Sequence, residues 1–172
     1  MDKVKPTIFL YTDGASSGNP GPGGYGVILK CGGLEKEMSG GFARTTNNRM
    51  ELLAVIVGLE AIKWHDARVE VYSDSSYVVK AVNEGWLSGW EKKGWKKVKN
   101  PDLWQRFLVV YRRHKVTFHW LKGHAGHPEN ERCDALAVAA GAGAVAAGRT
   151  LPEDEGYESL HADGGGLIDF EE

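Results

Sequence analysis

The strongest constraint on the fold is a long amphipathic segment that lies between two apolar runs, each followed by an aspartate. In residues 50–64, apolar side chains recur at spacings of three and four, which predicts a helix that packs one face on a sheet. Asp13 follows the apolar residues 8–11, and Asp74 follows a second apolar run at residues 69–72. A strand, a long helix and another strand predict a parallel crossover.

The start of that helix carries a third acid. Thr46 or Asn48 can cap the first turn, and Glu51 then lies where the helix dipole favours negative charge. A purely structural interpretation is a capping box formed by Asn48 and Glu51. The alternative is that Glu51 joins Asp13 and Asp74, because two acids at strand ends and one at a helix start can converge on a single metal site.

The remaining pattern predicts an α/β fold with a five-stranded mixed sheet, in which an antiparallel meander is joined to parallel strands and flanked by helices. The meander has strands at residues 7–12, 25–30 and 34–43, with a glycine-rich loop at residues 16–24. That loop is not a phosphate-binding P-loop, because no Gly-Lys-Ser/Thr follows it and no helix begins there. The other predicted elements are helices at residues 75–83, 85–95 and 128–140, a helix that begins at Pro101, and a strand at residues 116–121.

Length and composition indicate one soluble domain. The chain has 172 residues, of which 42% are hydrophobic, and this is enough apolar surface for a core. Cys31 and Cys133 are too few for a disulfide framework and are interpreted as reduced thiols. The first residues are charged, and no apolar run reaches 18 residues. We therefore expect a cytoplasmic monomer without a membrane segment.

Charge is distributed unevenly along the chain. Residues 1–149 carry 21 basic and 15 acidic residues, a net charge of +6, whereas residues 150–172 carry eight acids and no Lys or Arg, a net charge of -8. Residues 90–100, the basic segment, contain five lysines, one glutamate and two tryptophans. Such a segment is either a solvated face or a nucleic-acid contact. The aromatic rings favour nucleic acid, because phosphates attract cations while sugars and bases pack on flat apolar rings.

The acids of the predicted fold favour a divalent metal. Four of them stand at separated positions: Asp13, Glu51, Asp74 and Asp134. Asp134 lies among apolar neighbours on the last predicted helix, so it needs a cation or another partner. Carboxylate oxygens suit Mg²⁺ or Mn²⁺, and two ions about 4 Å apart would relieve the repulsion among the acids and build a phosphodiester-cleaving site. A zinc site of His124, His127 and Cys133 is a weaker alternative, because its spacing matches no common zinc finger.

Six motifs follow one another along the chain: TDGASSGNPGPGGYG, RTTNNRMEL, YSDSSYV, GWEKKGWK, NPDLWQR and KGHAGHPENERCDALA. Together they resemble the successive motifs of bacterial ribonuclease H of type 1. The resemblance covers about residues 7–157, so we interpret residues 1–157 as the catalytic domain and residues 158–172 as an acidic tail. It implies an endonuclease that cuts the RNA strand of RNA/DNA hybrids with two Mg²⁺ ions and leaves 5′-phosphate and 3′-hydroxyl ends.

The resemblance also implies a role for each acid. Asp13 would bridge both ions, while Glu51 and Asp74 would hold one ion or share the pair. Asp134 would complete the ligand set of the second ion. His124, on the glycine-rich loop before the last helix, would relay protons or help the product to leave.

Contacts with the hybrid are implied at the polar turn and at the basic segment. Asn19, Asn47 and Asn48 would face the shallow minor groove, where amide side chains donate to and accept from sugars and base edges. Further phosphate contacts would come from four lysines: Lys92, Lys93, Lys96 and Lys97.

Two binding features for the DNA strand complete the implied site. Arg44, Thr46 and Asn100 would form a pocket for a DNA phosphate two nucleotides from the cut. Tyr77 and Trp90 would line a channel in which a deoxyribose packs and from which a 2′-hydroxyl is excluded.

Two other classes of function stay open at this point. The first is a nucleic-acid-binding module with an inactive site, which a Mg²⁺-dependent cleavage assay would separate from an enzyme. The second is another nuclease of the same broad fold, such as a resolvase or an exonuclease, which would share the acids but lack the asparagine-rich turn and the basic segment. Comparing hybrid, double-stranded DNA and double-stranded RNA as substrates distinguishes these nucleases.

The acidic tail at residues 158–172 has three interpretations. It is a solubilising segment without further function, a competitor that keeps nucleic acid from the basic segment, or a docking peptide for a protein partner. The docking interpretation rests on a terminal apolar cluster: Leu167, Ile168, Asp169 and Phe170.

Overall fold

The computed structural model describes residues 5–122 and 126–161. The strands of this part of the chain are β1 (Ile8–Ser16), β2 (Gly21–Cys31), β3 (Leu34–Thr45), β4 (Arg68–Ser73) and β5 (Lys115–Trp120). The helices are α1 (Asn47–Glu60), α2 (Ser76–Asn83), α3 (Trp86–Lys92), α4 (Pro101–Tyr111), α5 (Pro128–Ala140), α6 (Ala142–Ala146) and α7 (Glu155–Leu160).

The strands form one mixed sheet in the order β3-β2-β1-β4-β5. β1, β2 and β3 pair antiparallel, whereas β4 pairs parallel with both β1 and β5. Since β3 and β4 run in the same direction, α1 between them makes the predicted parallel crossover. The prediction of a five-stranded mixed sheet, with a meander and parallel strands, is confirmed. Asp13 in β1 and Asp74 after β4 therefore lie at the same edge of the sheet.

Helices cover both faces of the sheet. A Cβ atom at Gly14 would meet the backbone of α1, whereas one at Gly26 would meet the backbone of α5. Gly26 pairs with Asp13, the residue before Gly14, so the two glycines point to opposite faces. The main apolar core lies on the α1 face, and it includes Leu10, Met50, Leu52, Ile56, Val71, Trp104 and Phe107.

Three details differ from the sequence predictions. Thr46 caps α1 by accepting a hydrogen bond from Arg49 N at 3.3 Å, so the capping box of Asn48 and Glu51 is wrong. The helix also ends at Glu60 rather than at residue 64. The predicted loop at residues 16–24 is shorter, because the glycines from Gly21 onward pair with β3 as part of β2.

The chain after α5 returns to the start of α1. Ala43 N donates to Pro152 O at 2.8 Å, and Tyr157 is buried on α7. α7 continues to Leu160, across the predicted boundary at residue 157, and that boundary stays a prediction. Within residues 5–122 and 126–161, no helix has the length and apolar character needed to cross a membrane.

Candidate active site

Asp13 lies in β1 directly beside the first turns of α1. A Cβ atom at the next residue, Gly14, would lie only 2.4 Å from Glu51 N. Because glycine has no side chain, α1 can pack its backbone against β1 at this point. Gly14 N donates to Asp13 Oδ1 at 2.9 Å and orients the carboxylate. The local sequence thus places Asp13 and Glu51 side by side.

The structure brings three of the four predicted acids into one cluster. Asp13, Glu51 and Asp74 each offer a carboxylate oxygen, and these oxygens all lie within 4.8 Å of one another. Asp13 is 4% exposed and Glu51 is 6% exposed, while Asp74 is half-buried. Glu51 Oε2 is buried and receives no hydrogen bond from the described residues. A close group of buried anions with an unsatisfied oxygen needs a positive partner.

The pKa values of two cluster acids reflect this crowding. Burial and the charge of Asp74 raise the pKa of Asp13 to about 8, and the charge of Asp134 adds to the effect. Burial, together with the charges of Asp13 and Asp74, raises the pKa of Glu51 above its usual value. Both shifts have the same cause, which is negative charge held close together away from water.

A divalent cation fits this cluster by the chemistry of its donors. All three side chains supply carboxylate oxygen, the ligand that hard cations such as Mg²⁺ bind in proteins. A cation among them would also give the buried Glu51 Oε2 the partner that the protein does not provide. The cluster is therefore a candidate metal centre.

Asp134 approaches the cluster from the opposite face of the sheet. It is half-buried on α5, which packs so closely on β2 that a Cβ atom at Gly26 would lie 2.2 Å from Cys133 O. Its charge acts on Asp13, although Asp134 is not among the three acids whose oxygens meet within 4.8 Å. Its role as a metal ligand stays a prediction. His124 lies outside the described residues.

The zinc alternative loses support at Cys133. The Cys133 thiol is fully buried and donates to Tyr11 O at 3.3 Å. Burial and the nearby charge of Asp13 raise the pKa of Cys133 to about 12, which disfavours the thiolate that a zinc ion binds. His127, in contrast, is exposed at the start of α5.

The asparagines predicted to face the minor groove lie around the start of α1. Asn47 N donates to Asn19 Oδ1 at 3.0 Å, so the loop after β1 is tied to the first residue of the helix. Asn47 and Asn48 are half-buried, and Asn19 is exposed. Asn47 and Asn48 lie near the carboxylate cluster, because Glu51 follows them by one turn on the same helix, and the hydrogen bond to Asn47 N holds Asn19 beside them. Their contact with a nucleic acid stays a prediction.

The two predicted aromatic residues belong to one ring cluster. Tyr77 and Trp90 both pack on Trp104, with ring centroids 5.5 Å away in each case. Trp104 Nε1 donates to Tyr77 Oη at 2.7 Å, and Asn100 Nδ2 donates to the same oxygen at 3.3 Å. Asn100 therefore joins the predicted phosphate pocket to the predicted sugar channel.

The basic segment projects its cations into solvent. Trp95 and Val98 pack against the core, and Trp95 N donates to Trp90 O at 3.0 Å. The four lysines of the predicted interface are all exposed: Lys92, Lys93, Lys96 and Lys97. This arrangement places positive charge next to the aromatic cluster, and contact of these lysines with a nucleic acid stays a prediction.

Sequence reasoning missed three residues that organise this region. Arg49 is only 1% exposed, and it pairs with Asp102 and Asp154 at 2.8 Å in each case. Arg49 lies within the motif RTTNNRMEL, where the sequence pattern assigns it no role, although a basic residue in the first turn of a buried helix is itself a signal. Trp104 occupies an apolar position on α4 and could have been found from the helical spacing. Asp154 carries no local signal.

Comparison with known proteins gives the family. The chain matches the family model of RNase H over residues 5–142. It is 52% identical over 155 residues to the ribonuclease H of Nitratidesulfovibrio vulgaris (strain DP4), and the match covers 87% of this chain and 96% of that relative.

Solved structures agree with the sequence matches. LC9-RNase H1, a type 1 RNase H with the type 2 active-site motif, superposes with a TM-score of 0.73 at 33% identity, over 83% of this chain and 75% of its own. LC11-RNase H1, solved in complex with an RNA/DNA hybrid, gives a TM-score of 0.60 at 30% identity, over 81% of this chain and 99% of its own. The chain therefore belongs to the ribonuclease H family, which degrades RNA in RNA/DNA hybrids, and its bacterial relatives and type 1 structural neighbours agree with the motifs of its sequence.

Proposed function

We propose that this protein is an endonuclease that hydrolyses the RNA strand of RNA/DNA hybrids with two Mg²⁺ ions and leaves 5′-phosphate and 3′-hydroxyl ends. The observation that carries the proposal is the cluster of Asp13, Glu51 and Asp74, whose carboxylate oxygens lie within 4.8 Å of one another at the edge of the sheet. Mn²⁺ would substitute, because it accepts the same oxygen ligands.

The acidic side chains of the site would hold the two metal ions in position for the reaction. When bound, the ions supply positive charge that favours deprotonation of the attacking water and stabilises the departing 3′ oxygen. Asp13 is fixed by the hydrogen bond from Gly14 N, so its carboxylate is held in place before substrate binds. Asp134 approaches from α5 and completes the ligand set. No covalent nucleophile is required, and His124 would relay protons or help the product to leave.

Hybrid selectivity would come from the region between α1 and the basic segment. Asn19, Asn47 and Asn48 would contact 2′-hydroxyls and base edges of the minor groove. Tyr77 and Trp90 would accept a deoxyribose, and both rings pack on Trp104. A 2′-hydroxyl would not fit there, so the strand in this channel would be DNA.

Affinity would come mainly from phosphates. Arg44, Thr46 and Asn100 would bind one phosphate of the DNA strand, and the exposed lysines would attract the rest of its backbone. We further propose that the protein acts as a monomer in the cytoplasm, and that its acidic tail is the segment for any protein partner.

A labelled RNA/DNA hybrid tests this function directly. With Mg²⁺, the RNA strand should be cut internally, and the products should carry 5′-phosphates that a phosphatase removes. Without divalent metal the hybrid should stay intact, and double-stranded RNA and double-stranded DNA should resist cleavage under both conditions. Binding without cleavage at any Mg²⁺ or Mn²⁺ concentration would instead identify a binding module with an inactive site. Cleavage of double-stranded DNA would identify a different nuclease of this fold.

A further inference from the structure

The segment that follows α6 contacts the chain around the proposed DNA-phosphate pocket, at Ala43, Arg44, Thr45 and Arg49. Residues 152–157, which we call the C-terminal clamp, lie outside the stretch that matches the family model. Pro152 O accepts from Ala43 N at 2.8 Å, and this bond joins the clamp to the end of β3, next to Arg44. The clamp touches no acid of the metal cluster in the described contacts, so its connection is to substrate binding rather than to the metal centre.

Asp154 is the centre of the clamp. It is 6% exposed and accepts from Thr45 Oγ1 at 2.6 Å, Arg49 Nε at 2.8 Å and Arg49 Nη2 at 3.0 Å. Burial acts to raise its pKa, but the hydrogen bonds from Arg49 and Thr45 outweigh burial and hold the pKa below its usual value. The Asp154 carboxylate is therefore a fixed anion that holds Thr45, the residue before Thr46, and the guanidinium of Arg49, three residues after Thr46.

Arg49, which Asp154 holds in place, in turn positions Asn100. Its Nη1 donates to Asn100 Oδ1 at 3.2 Å. A guanidinium has donors only, so the Asn100 atom that faces it must be the carbonyl oxygen, and the amide nitrogen must point the other way. That nitrogen donates one hydrogen to Tyr77 Oη at 3.3 Å and carries a second hydrogen. In the arrangement we assign, this second N–H is a donor for a phosphate oxygen.

Arg44 is held by the other end of the clamp. Its guanidinium carbon lies 5.6 Å from the centroid of the Tyr157 ring, and that ring is 1% exposed. A cation over the face of an aromatic ring is attracted by the ring's quadrupole, and its long side chain loses rotational freedom. Tyr157 itself is positioned by Asp154, whose Oδ1 accepts from Tyr157 N at 3.2 Å.

We propose that the C-terminal clamp, through Asp154 and Tyr157, positions Arg44, Thr46 and Asn100 to bind a phosphate of the DNA strand. This inference rests on the proposed function, because it takes the hybrid as substrate. Asp154 and Tyr157 are positioning residues that touch no substrate. They determine how tightly the hybrid is held and leave the chemical step at the carboxylates unchanged.

The test compares two hybrids and four proteins. One hybrid is unmodified, and in the other the DNA phosphate two nucleotides from the cut is replaced by an uncharged methylphosphonate. The proteins are the wild type, Asp154→Asn, Tyr157→Leu and Tyr157→Phe, assayed below the unfolding midpoint of every variant. Tyr157→Phe is the matched control, because it keeps the ring face over which Arg44 lies.

We expect the effect of the clamp substitutions on KM to depend on the presence of one charged phosphate in the DNA strand. On the unmodified hybrid, Asp154→Asn should raise KM roughly ten-fold and Tyr157→Leu roughly three-fold, in line with one weakened charge contact, while kcat stays within two-fold and Tyr157→Phe behaves as wild type. On the methylphosphonate hybrid, wild type and variants should have the same KM, because the contact that the clamp supports is already lost.

Other outcomes distinguish a failure of the clamp's proposed role from a failure of the proposed function. A rise in KM of equal factor on both hybrids, or an unchanged KM on the unmodified hybrid, would overturn the clamp's role. A fall in kcat without a change in KM would overturn it too, since that result would place the effect at the metal centre. A wild type that binds both hybrids equally well would refute the phosphate pocket, whereas a wild type that cuts no hybrid would refute the proposed function itself.

Discussion

Tyr11 and Tyr72 are partners in the parallel pair of β1 and β4, and their ring centroids lie 5.2 Å apart in a stacked arrangement. Each tyrosine is followed two residues later by an acid of the cluster, Asp13 or Asp74. The register of two strands that are far apart in sequence therefore sets the separation of two carboxylates. Stacking between the rings favours that register, and His119 extends the stack from β5 with its ring centroid 4.8 Å from Tyr72.

The first prediction is that Asp13→Asn abolishes cleavage and leaves hybrid binding intact. The substitution removes a charge at the centre of the cluster but leaves the basic segment and the aromatic cluster unchanged. Cleavage of a labelled hybrid and binding of the same hybrid are measured in parallel. Asp66→Asn is a matched control, because Asp66 is exposed and its positive φ of 55° suits asparagine. Full activity in Asp13→Asn would remove this residue from the site.

The second prediction concerns pH and metal. Burial and the charge of Asp74 raise the pKa of Asp13 to about 8, whereas an aspartate in an unfolded chain titrates near 3.9, so protonation of Asp13 favours the folded state. In metal-free protein this contribution is complete below about pH 4 and is lost as the pH rises towards about 8. The free energy of unfolding of wild type, minus that of Asp13→Asn, should fall across this range in urea titrations with a chelator.

Metal should reverse that loss. Because the ligands bind cations as carboxylates, Mg²⁺ should raise the unfolding midpoint of wild type more at pH 8 than at pH 5. The Asp13→Asn variant should respond weakly at both pH values. An equal response of wild type and variant would show that the ion binds elsewhere.

The third prediction is that His124→Ala slows turnover tens-fold without abolishing it. A positioned acid or base contributes about 10² to 10⁴ in rate, and water can replace part of that contribution. The rate constant is measured at saturating hybrid and Mg²⁺. His127→Ala, at the exposed start of α5, is the control and should retain activity. An inactive His124→Ala that still binds metal and hybrid would assign this histidine a larger role.

The fourth prediction tests the basic segment by replacing its four exposed lysines, Lys92, Lys93, Lys96 and Lys97, with alanine. KM should rise while the rate at saturation changes little. The slope of log K against log salt should become less steep by roughly 0.7 to 0.9 for each lost phosphate contact. The control variant replaces four other exposed lysines with alanine, at the end of the sheet opposite to the acid cluster, and so removes the same amount of charge. These are Lys5, Lys36, Lys63 and Lys115. Equal slopes in both quadruple variants would mean that the basic segment is a solvated face.

The fifth prediction addresses the acidic tail. His161 stacks on Tyr157 with ring centroids 4.2 Å apart, so a cut after His161 leaves α7 whole and removes residues 162–172. If the tail competes for the basic segment, this cut should tighten hybrid binding at low salt, and the gain should vanish as salt screens the attraction. A full-length control carries amides at the four removed acids, Asp163, Asp169, Glu171 and Glu172. Identical KM values for all three proteins at every salt concentration would exclude competition.

The sheet and the acid cluster could be predicted because their signals are local. An apolar run that ends in Asp13 or Asp74, and a helix that begins shortly before Glu51, are visible within ten residues of sequence. Parallel pairing then brings the ends of such strands to one edge. The resemblance to a known family supplied what local patterns lack, which is the choice of substrate.

Other parts of the site could not be predicted because they depend on distant residues. Arg49 and Asp154 are 105 residues apart, and nothing in the sequence around either residue indicates that the two will pair. The close packing of α5 on β2 was also missed. Gly26 lies in the predicted strand at residues 25–30, and nothing in the sequence indicates that its role is to let the backbone of another element approach.

The glycines at positions 14 and 26 also determine which parts of this enzyme an engineer can alter. Main chain meets main chain at both points, since added Cβ atoms would lie 2.4 Å from Glu51 N and 2.2 Å from Cys133 O. The spacing between the acids from β1, α1 and α5 therefore does not depend on the shape of any intervening side chain. Redesign of the apolar core for heat tolerance can proceed far from these two contacts without changing the spacing of these acids. The two glycines themselves admit no substitution that preserves it.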